Sequence, residues 1–213
     1  LVRNLFIGVG AALLVLLWLL QSLITPTMAN YQAQLVGDGQ TRTVSVVRHG
    51  KTVTATDVYT GHLDRDVSGT YLIDPKSGFP AKKATHTGLT YYFPMPTEER
   101  SYVIYDPLTG DADTVDYVDP EQRDGMKLYV FRENTPRLRE VTIEPHSGIV
   151  VDAREDVDGT VIAFDEATRT DALARAEAAY RQHRSLEVAR FLLTVAGGGC
   201  IIVGLWLWTK RVL

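Results

Sequence analysis

The chain has 213 residues, a net charge of −4 and a mean hydropathy of −0.05, values that taken alone describe a soluble one-domain protein. Their distribution says otherwise. All 26 acidic residues but only 19 of the 22 lysines and arginines lie between two uncharged apolar runs, a balance of −7 for the middle of the chain. A segment that acidic argues against nucleic acid as a partner and against lying on anionic lipid.

The apolar runs cover residues 5–24 and 191–208. At the helical rise they extend about 27–30 Å, enough to cross a hydrocarbon core. Arg3 precedes the first run, and Lys210 and Arg211 follow the second. These flanks predict a plasma-membrane protein with both termini cytoplasmic and the central domain extracytoplasmic. Arg181, Arg184 and Arg190 precede the second run on the outer side and oppose that rule, which long translocated domains escape. A cytoplasmic leader ahead of Leu1 is expected. The rival reading of the first run is a signal peptide cleaved near Thr27-Met28-Ala29, but the run exceeds the usual apolar length of about 7–15 residues. Cys200, the one cysteine, lies within the second run, so the outer domain has no disulfide and depends on its apolar core.

Between the runs, short stretches rich in β-branched and aromatic residues predict strands at 43–47, 52–59, 89–93, 102–105, 126–131, 141–143, 149–153 and 160–164. Met126, Leu128 and Val130 alternate with Lys127, Tyr129 and Phe131, so both faces of that strand are expected to be covered. Asp158-Gly159 predicts a tight hairpin. One turn pattern occurs three times, as Ile73-Asp74-Pro75-Lys76-Ser77-Gly78, Tyr105-Asp106-Pro107-Leu108-Thr109-Gly110 and Ile143-Glu144-Pro145-His146-Ser147-Gly148. Pro presets the first central position and Gly accepts the left-handed one, which is the chemistry of a hairpin closed by a glycine bulge. No clear pattern marks residues 25–40, where Pro26 breaks the first helix.

From Asp171, a fair N-cap, the chain turns rich in Ala, Arg and Glu and holds no Gly or Pro until Gly197. Leu173, Ala176 and Tyr180 share one helical face. One helix is predicted from about residue 172 to 208, its outer part a stalk between domain and membrane. The expected organisation is an N-terminal transmembrane helix (1–25), an extracytoplasmic β-rich domain (26–168) that is a hairpin-rich meander or sandwich, a helical stalk (169–190), and a C-terminal transmembrane helix with a short tail (191–213).

Signals of chemistry are weak. There is no nucleophile elbow, no phosphate-binding Gly-Lys loop and no zinc-protease His pair, so no catalytic residue, cofactor or metal is expected. His49, His62, His86, His146 and His183 do not stand at ligand spacing. Asp111, Asp113, Asp116 and Asp119 are the best calcium candidates, but they lack an encoded convergence and read better as a charged sheet edge. Carboxylate pairs such as Asp64 and Asp66, or Glu98 and Glu99, are too common here to indicate a glycosidase. Tyr91, Tyr92, Phe93, Tyr102 and Tyr105, with Tyr117, Tyr129 and Phe131, read first as β-core and second as a groove for lipid or glycan. Gly197-Gly198-Gly199 smooths the second helix and calls for a close neighbour. Gly204 falls at a depth comparable to Gly8, Gly10 and Ala12 of the first helix, which would leave the triple glycine facing Leu16 to Leu19 or another membrane protein.

Several stretches together resemble the PorA-type porin family of actinobacteria. They are Tyr92-Phe93-Pro94, Thr97-Glu98-Glu99-Arg100-Ser101-Tyr102, the Asp106-Pro107 turn, Gly125-Met126-Lys127-Leu128-Tyr129-Val130-Phe131, and the run from Val141 through the Glu144-Pro145 turn to Val151. A helix at each end also fits, while the stretch between Thr135 and Arg139 is shorter than the family pattern. The resemblance implies a plasma-membrane protein facing an actinomycete envelope and carries no catalytic residues with it. A transmembrane β-barrel needs at least eight strands of about 9–11 residues with an apolar outer band, which the short, charge-flanked strands here do not provide. The favoured function is a non-enzymatic accessory or scaffold subunit of a larger membrane or envelope complex, whose partners are the bilayer and other integral membrane proteins. The alternative is an envelope lipid- or glycan-binding module that uses the aromatic groove.

Overall fold

The strand signals of the middle segment resolve into a single antiparallel sheet. The computed structural model describes residues 2–23, 30–61, 66–75, 77–133 and 138–209. Helix α1 (Val2–Leu23) is followed by β1 (Tyr31–Val36), β2 (Thr41–His49), β3 (Thr52–Thr60), β4 (Val67–Ile73), β5 (Tyr102–Tyr105), β6 (Ala112–Arg123), β7 (Met126–Glu133), β8 (Arg139–Glu144), β9 (Ile149–Val157), β10 (Thr160–Phe164) and helix α2 (Glu166–Thr209). The ten strands are ordered β4-β3-β2-β1-β10-β9-β8-β7-β6-β5. This is the meander of the two expected forms, not the sandwich. It consists of two runs of hairpins, β1–β4 and β5–β10, that meet where β1 lies beside β10. That junction is short, with the register Leu35↔Phe164 and Val36↔Ala163.

The sheet curls until its two edges approach each other. Tyr71 on edge strand β4 and Tyr105 on edge strand β5 have ring centroids 5.3 Å apart, with the His86 ring against both. The segment between these strands, residues 74–101, lies along both edges. The Ala81 amide donates to the Leu72 carbonyl (3.0 Å), Leu89 donates to Val103 (2.7 Å), and Tyr105 donates back to Leu89 (2.7 Å). Exposed strand edges invite foreign pairing, and here the chain satisfies part of each edge itself. Residues 89–93, expected to form a strand, pair only through Leu89. All five are buried, and they fill the space inside the curl.

Other departures from expectation have local causes. β1, β4 and β6 carry no strong strand signal. β6 even contains Pro120, which is accommodated where the register with β7 shifts between Tyr117 and Pro120. The Asp158-Gly159 hairpin forms as expected, both residues at positive φ, and Asp124-Gly125 repeats it between β6 and β7.

All three copies of the acid-Pro turn close in the same way. The amides of Gly78, Gly110 and Gly148 donate to the carbonyls of Asp74, Asp106 and Glu144 at 3.0, 2.8 and 2.9 Å. Each glycine has positive φ. The acidic side chain accepts amide hydrogens inside its own turn, from Ser77, Leu108 and Ser147 at 2.8–2.9 Å. Two of these glycines also let the filling segment approach. A Cβ on Gly78 would sit 2.7 Å from the Tyr92 carbonyl oxygen, and one on Gly148 would overlap the Phe93 carbonyl. The Thr97 amide donates to Pro145 at 2.7 Å, fastening the segment to the third turn.

Helix α2 begins earlier than expected because Asp165, not Asp171, caps it. The Asp165 carboxylate accepts the Thr168 amide at 2.7 Å. Gln34 of β1 holds the same turn, donating to Thr168 Oγ1 (3.0 Å) and accepting from the Asp165 amide (3.1 Å). Leu173, Ala176 and Tyr180 then pack on Met126, Leu128 and Val151, while Tyr129 and Phe131 face the main core. Both faces of β7 are therefore covered. Residues Pro26–Tyr180 form one compact unit; Leu1–Thr25 and Arg181–Leu213 form the other. α2 contains a stretch long and apolar enough to cross a membrane, whereas the apolar stretch of α1, Asn4–Leu19, is shorter.

The turns generate two predictions. Gly110→Ala, with open space around its Cβ, costs the left-handed penalty of about 1–2 kcal/mol. Gly148→Ala costs at least twice as much because the filling segment must also retreat, a contrast readable by thermal unfolding. Burial would raise the Glu144 carboxyl, but hydrogen bonds from His146 and Ser147 outweigh it and hold the group below the usual carboxylate range. Its stabilisation is complete above the unfolded value of about 4.3 and is lost as pH falls through the lower folded value. Glu144→Gln should therefore lose less stability than the parent protein between about pH 5 and pH 3, measured as the shift in urea midpoint.

Candidate functional site

Strand alternation sends every second side chain of each strand into the curl, and at several of those positions the residue is charged. On β2, Arg42 is in phase with buried Val44 and Val46. On β3, Asp57 is in phase with Val53, Ala55 and Tyr59. Arg139 of β8 lies opposite Glu155 of β9. All four are at least nine-tenths buried.

They form one network. Arg42 grips Asp57 with two parallel bonds, Nε to Oδ1 at 3.0 Å and Nη2 to Oδ2 at 2.6 Å. Its Nη1 donates to Glu155 at 2.8 Å, and the Tyr59 hydroxyl donates to the other Glu155 oxygen at 3.2 Å. Arg139 sits beside this group at ion-pair rather than hydrogen-bond distances. It lies 3.4 Å from Glu155, 3.7 Å from Asp106 and 3.7 Å from Glu133. Burial alone would lower the Arg42 pKa, but Asp57 and Glu155 outweigh it and keep the guanidinium charged. The rings of Tyr59 and Tyr91 lie 4.9 and 5.6 Å from that guanidinium, and burial pushes both phenols up.

The position of the network matters more than its strength. Buried ion pairs contribute little net stability, because desolvation offsets most of the attraction, but removing one partner is costly. Arg42, Asp57 and Tyr59 belong to the first run of hairpins, and Arg139 and Glu155 to the second. The network thus bridges the two runs behind the short β1–β10 junction.

The expected aromatic site residues are placed as follows. Tyr91, Phe93 and Tyr102 join the main core cluster, and Tyr92 the adjoining one. Tyr91 stacks between Tyr31 (5.7 Å) and Phe164 (6.3 Å), and Phe93 packs on Phe131 (5.1 Å) and Tyr102 (5.5 Å). Tyr105 stands apart, partly exposed at the seam with Tyr71 and His86. Between Arg42, Tyr91, Phe93, Arg139 and Glu155 remains a cavity of about 20 Å³, room for roughly one water molecule.

In the helical unit, Gly10 and Gly197 meet. A Cβ on Gly10 would lie 2.8 Å from the Gly197 carbonyl, and one on Gly197 would lie 3.3 Å from the Gly10 carbonyl and the Leu14 side chain. The close contact seen is Gly10 with Gly197. Gly204 is buried, Ala12 is exposed, and Cβ atoms on Gly8, Gly198 or Gly199 would find nothing within 4 Å. Among the described residues, no three His, Cys, Asp or Glu side chains converge to hold a metal ion. Asp116, of the acidic cluster on β6, accepts a bond from Ser101 at 2.6 Å. Replacing Glu155 by Gln should lower stability by about 3 kcal/mol, because Arg42 and Arg139 lose a buried counter-charge. Glu98→Gln in the exposed pair with Arg100 should leave the urea midpoint nearly unchanged.

A family model described as Porin PorA matches residues 38–139, from the end of β1 to the start of β8. The match takes in Arg42, Asp57 and the filling segment but not Glu155. Porin PorA of Corynebacterium resistens is 40% identical over 62 residues, which is 26% of this chain and 15% of that relative. The aligned part thus spans well under two thirds of the relative's length.

Proposed function

We propose that the chain, whose residues 38–139 match the Porin PorA family model, is a PorA-family protein that acts as a non-enzymatic accessory or scaffold subunit of a larger membrane or envelope assembly. In this reading α1 is a second membrane crossing, both termini are cytoplasmic and the β-domain faces the envelope. The carrying observation is the filled interior. Residues 89–93 occupy the curl and leave a cavity of about 20 Å³, which admits neither a lipid tail nor a sugar ring. A conducting lumen is equally unsupported, since the strands run from 4 to 12 residues and the core inside them is packed. The reading as a lipid- or glycan-binding module needs an aromatic groove, but Tyr91, Tyr92, Phe93 and Tyr102 are each at most 7% exposed. Recognition then falls to surfaces, and small residues let membrane helices approach closely.

Gly197 and Gly198 separate the internal and external roles of the glycine run. Gly197→Leu should pry α1 from α2 and lower the thermal stability of the full chain in mild detergent. Gly198→Leu should leave that stability intact and release the membrane proteins that co-purify with the parent chain. Recovery of the parent chain as a lone monomer carrying one tightly held lipid or glycan would overturn the scaffold reading in favour of the binding module.

A further inference from the structure

Three arginines, Arg181, Arg184 and Arg190, precede the apolar part of α2. Arg181, Arg184 and Arg190 are all exposed. Residues 181–190 include one acidic residue, Glu187, whose carboxylate lies 3.4 Å from His183. This short basic stretch stands out in a chain whose middle segment is otherwise strongly acidic.

Their depth follows from the helix pair. Gly10 and Gly197 meet, Leu14 also touches Gly197, and Gly10 reaches Ile201, so the helices run antiparallel with the glycine contact as a common level. At 1.5 Å per residue, Trp206 and Trp208 lie about 14 and 16 Å to one side of that level, and Trp18 and Arg190 about 12 and 10 Å to the other. All three tryptophans are at least half exposed. Tryptophans favour the two membrane interfaces, and half the hydrocarbon thickness is about 15 Å. The glycine contact therefore marks the middle of the bilayer. Arg184 and Arg181 stand about 20 and 24 Å from it, at headgroup level, and Arg190 is near enough to extend its guanidinium there.

We propose that Arg181, Arg184 and Arg190 form a phosphate-binding collar for anionic phospholipid headgroups on the side of the membrane that carries the β-domain. At about 100° per residue Arg181 and Arg184 lie about 60° apart, and Arg190 points about 120° away from Arg184. Their common feature is depth rather than direction, and a fluid headgroup layer can meet guanidinium groups that diverge by this much. Guanidinium pairs with phosphate oxygens through two parallel bonds, so the phosphodiester is the recognised group. The collar also accounts for positive charge at a flank where the proposed orientation does not call for it.

The test is lipid retention by the full-length chain. Protein delipidated in mild detergent is titrated with phosphatidylglycerol or phosphatidylcholine and bound lipids are counted by native mass spectrometry. The parent chain should prefer phosphatidylglycerol at least tenfold. The double variant Arg184→Gln/Arg190→Gln should bind it about 25-fold more weakly, at roughly fivefold per arginine. Arg184→Lys/Arg190→Lys should keep most of the preference. Unchanged thermal unfolding of the β-domain in the glutamine variant checks that folding is intact. Equal binding of the two lipids by the parent chain, or undiminished phosphatidylglycerol binding by the glutamine variant, would overturn the collar. So would loss of an acidic protein partner, rather than lipid, from the glutamine variant. The collar rests on the reading in which both helices cross the membrane, but lipid retention is measured without any protein partner, so its failure is distinct from failure of the scaffold role.

Discussion

A ten-stranded sheet that curls on itself must fill its own interior, and most of the β-domain follows from how this chain does so. The filler is the connection between the two edge strands. It enters at the first acid-Pro turn, runs beside β4, meets β5 at Leu89, fills the interior as residues 89–93, and is fastened to the third turn at Thr97. One segment thereby meets two demands at once, occupying the core and satisfying part of both sheet edges. The glycines of the first and third turns matter for the same reason. They allow a left-handed turn, and they leave the space through which the backbone at Tyr92 and Phe93 passes.

Filling the interior with aromatic rings does not decide how the two runs of hairpins line up. Side-chain packing tolerates small slips at a junction as short as β1 with β10, whereas a bidentate guanidinium–carboxylate pair does not. Arg42 holds Asp57 in its own run and Glu155 in the other, with Tyr59 on the same carboxylate. The network is best understood as a register device whose desolvation cost is offset by hydrogen bonds on nearly every polar atom of Arg42.

What could be read from sequence divides along the same line between local and distant causes. The three turns, the Asp158-Gly159 hairpin and the buried face of α2 were legible because their chemistry lies within a few residues. Residues 89–93 were not, since Leu89-Thr90-Tyr91-Tyr92-Phe93 has the composition of a strand whether or not its backbone finds a neighbour. β6 was hidden by Pro120, which a strand accepts only at an irregularity such as the shift seen there. The network went unread for a different reason. Arg42, Asp57, Arg139 and Glu155 look like surface charges, and their signal is parity: each falls on the inward phase set by its apolar neighbours. Of the aromatic site residues, chemistry was legible but exposure was not, because whether Tyr91 faces a groove or a core depends on strands distant in sequence.

The helical unit obeys different rules. In the proposed reading, in which α1 as well as α2 crosses the bilayer, lipid tails are as apolar as leucine, so no hydrophobic force drives α1 against α2, and the pair depends on close packing. Gly10 and Gly197 bring the backbones together, with Leu14 and Ile201 fitted around them. Gly198 and Gly199 add nothing to that contact and carry the helix-propensity cost of glycine. In the proposed scaffold reading, that smooth surface beside the intramolecular contact is where a helix of another subunit would pack.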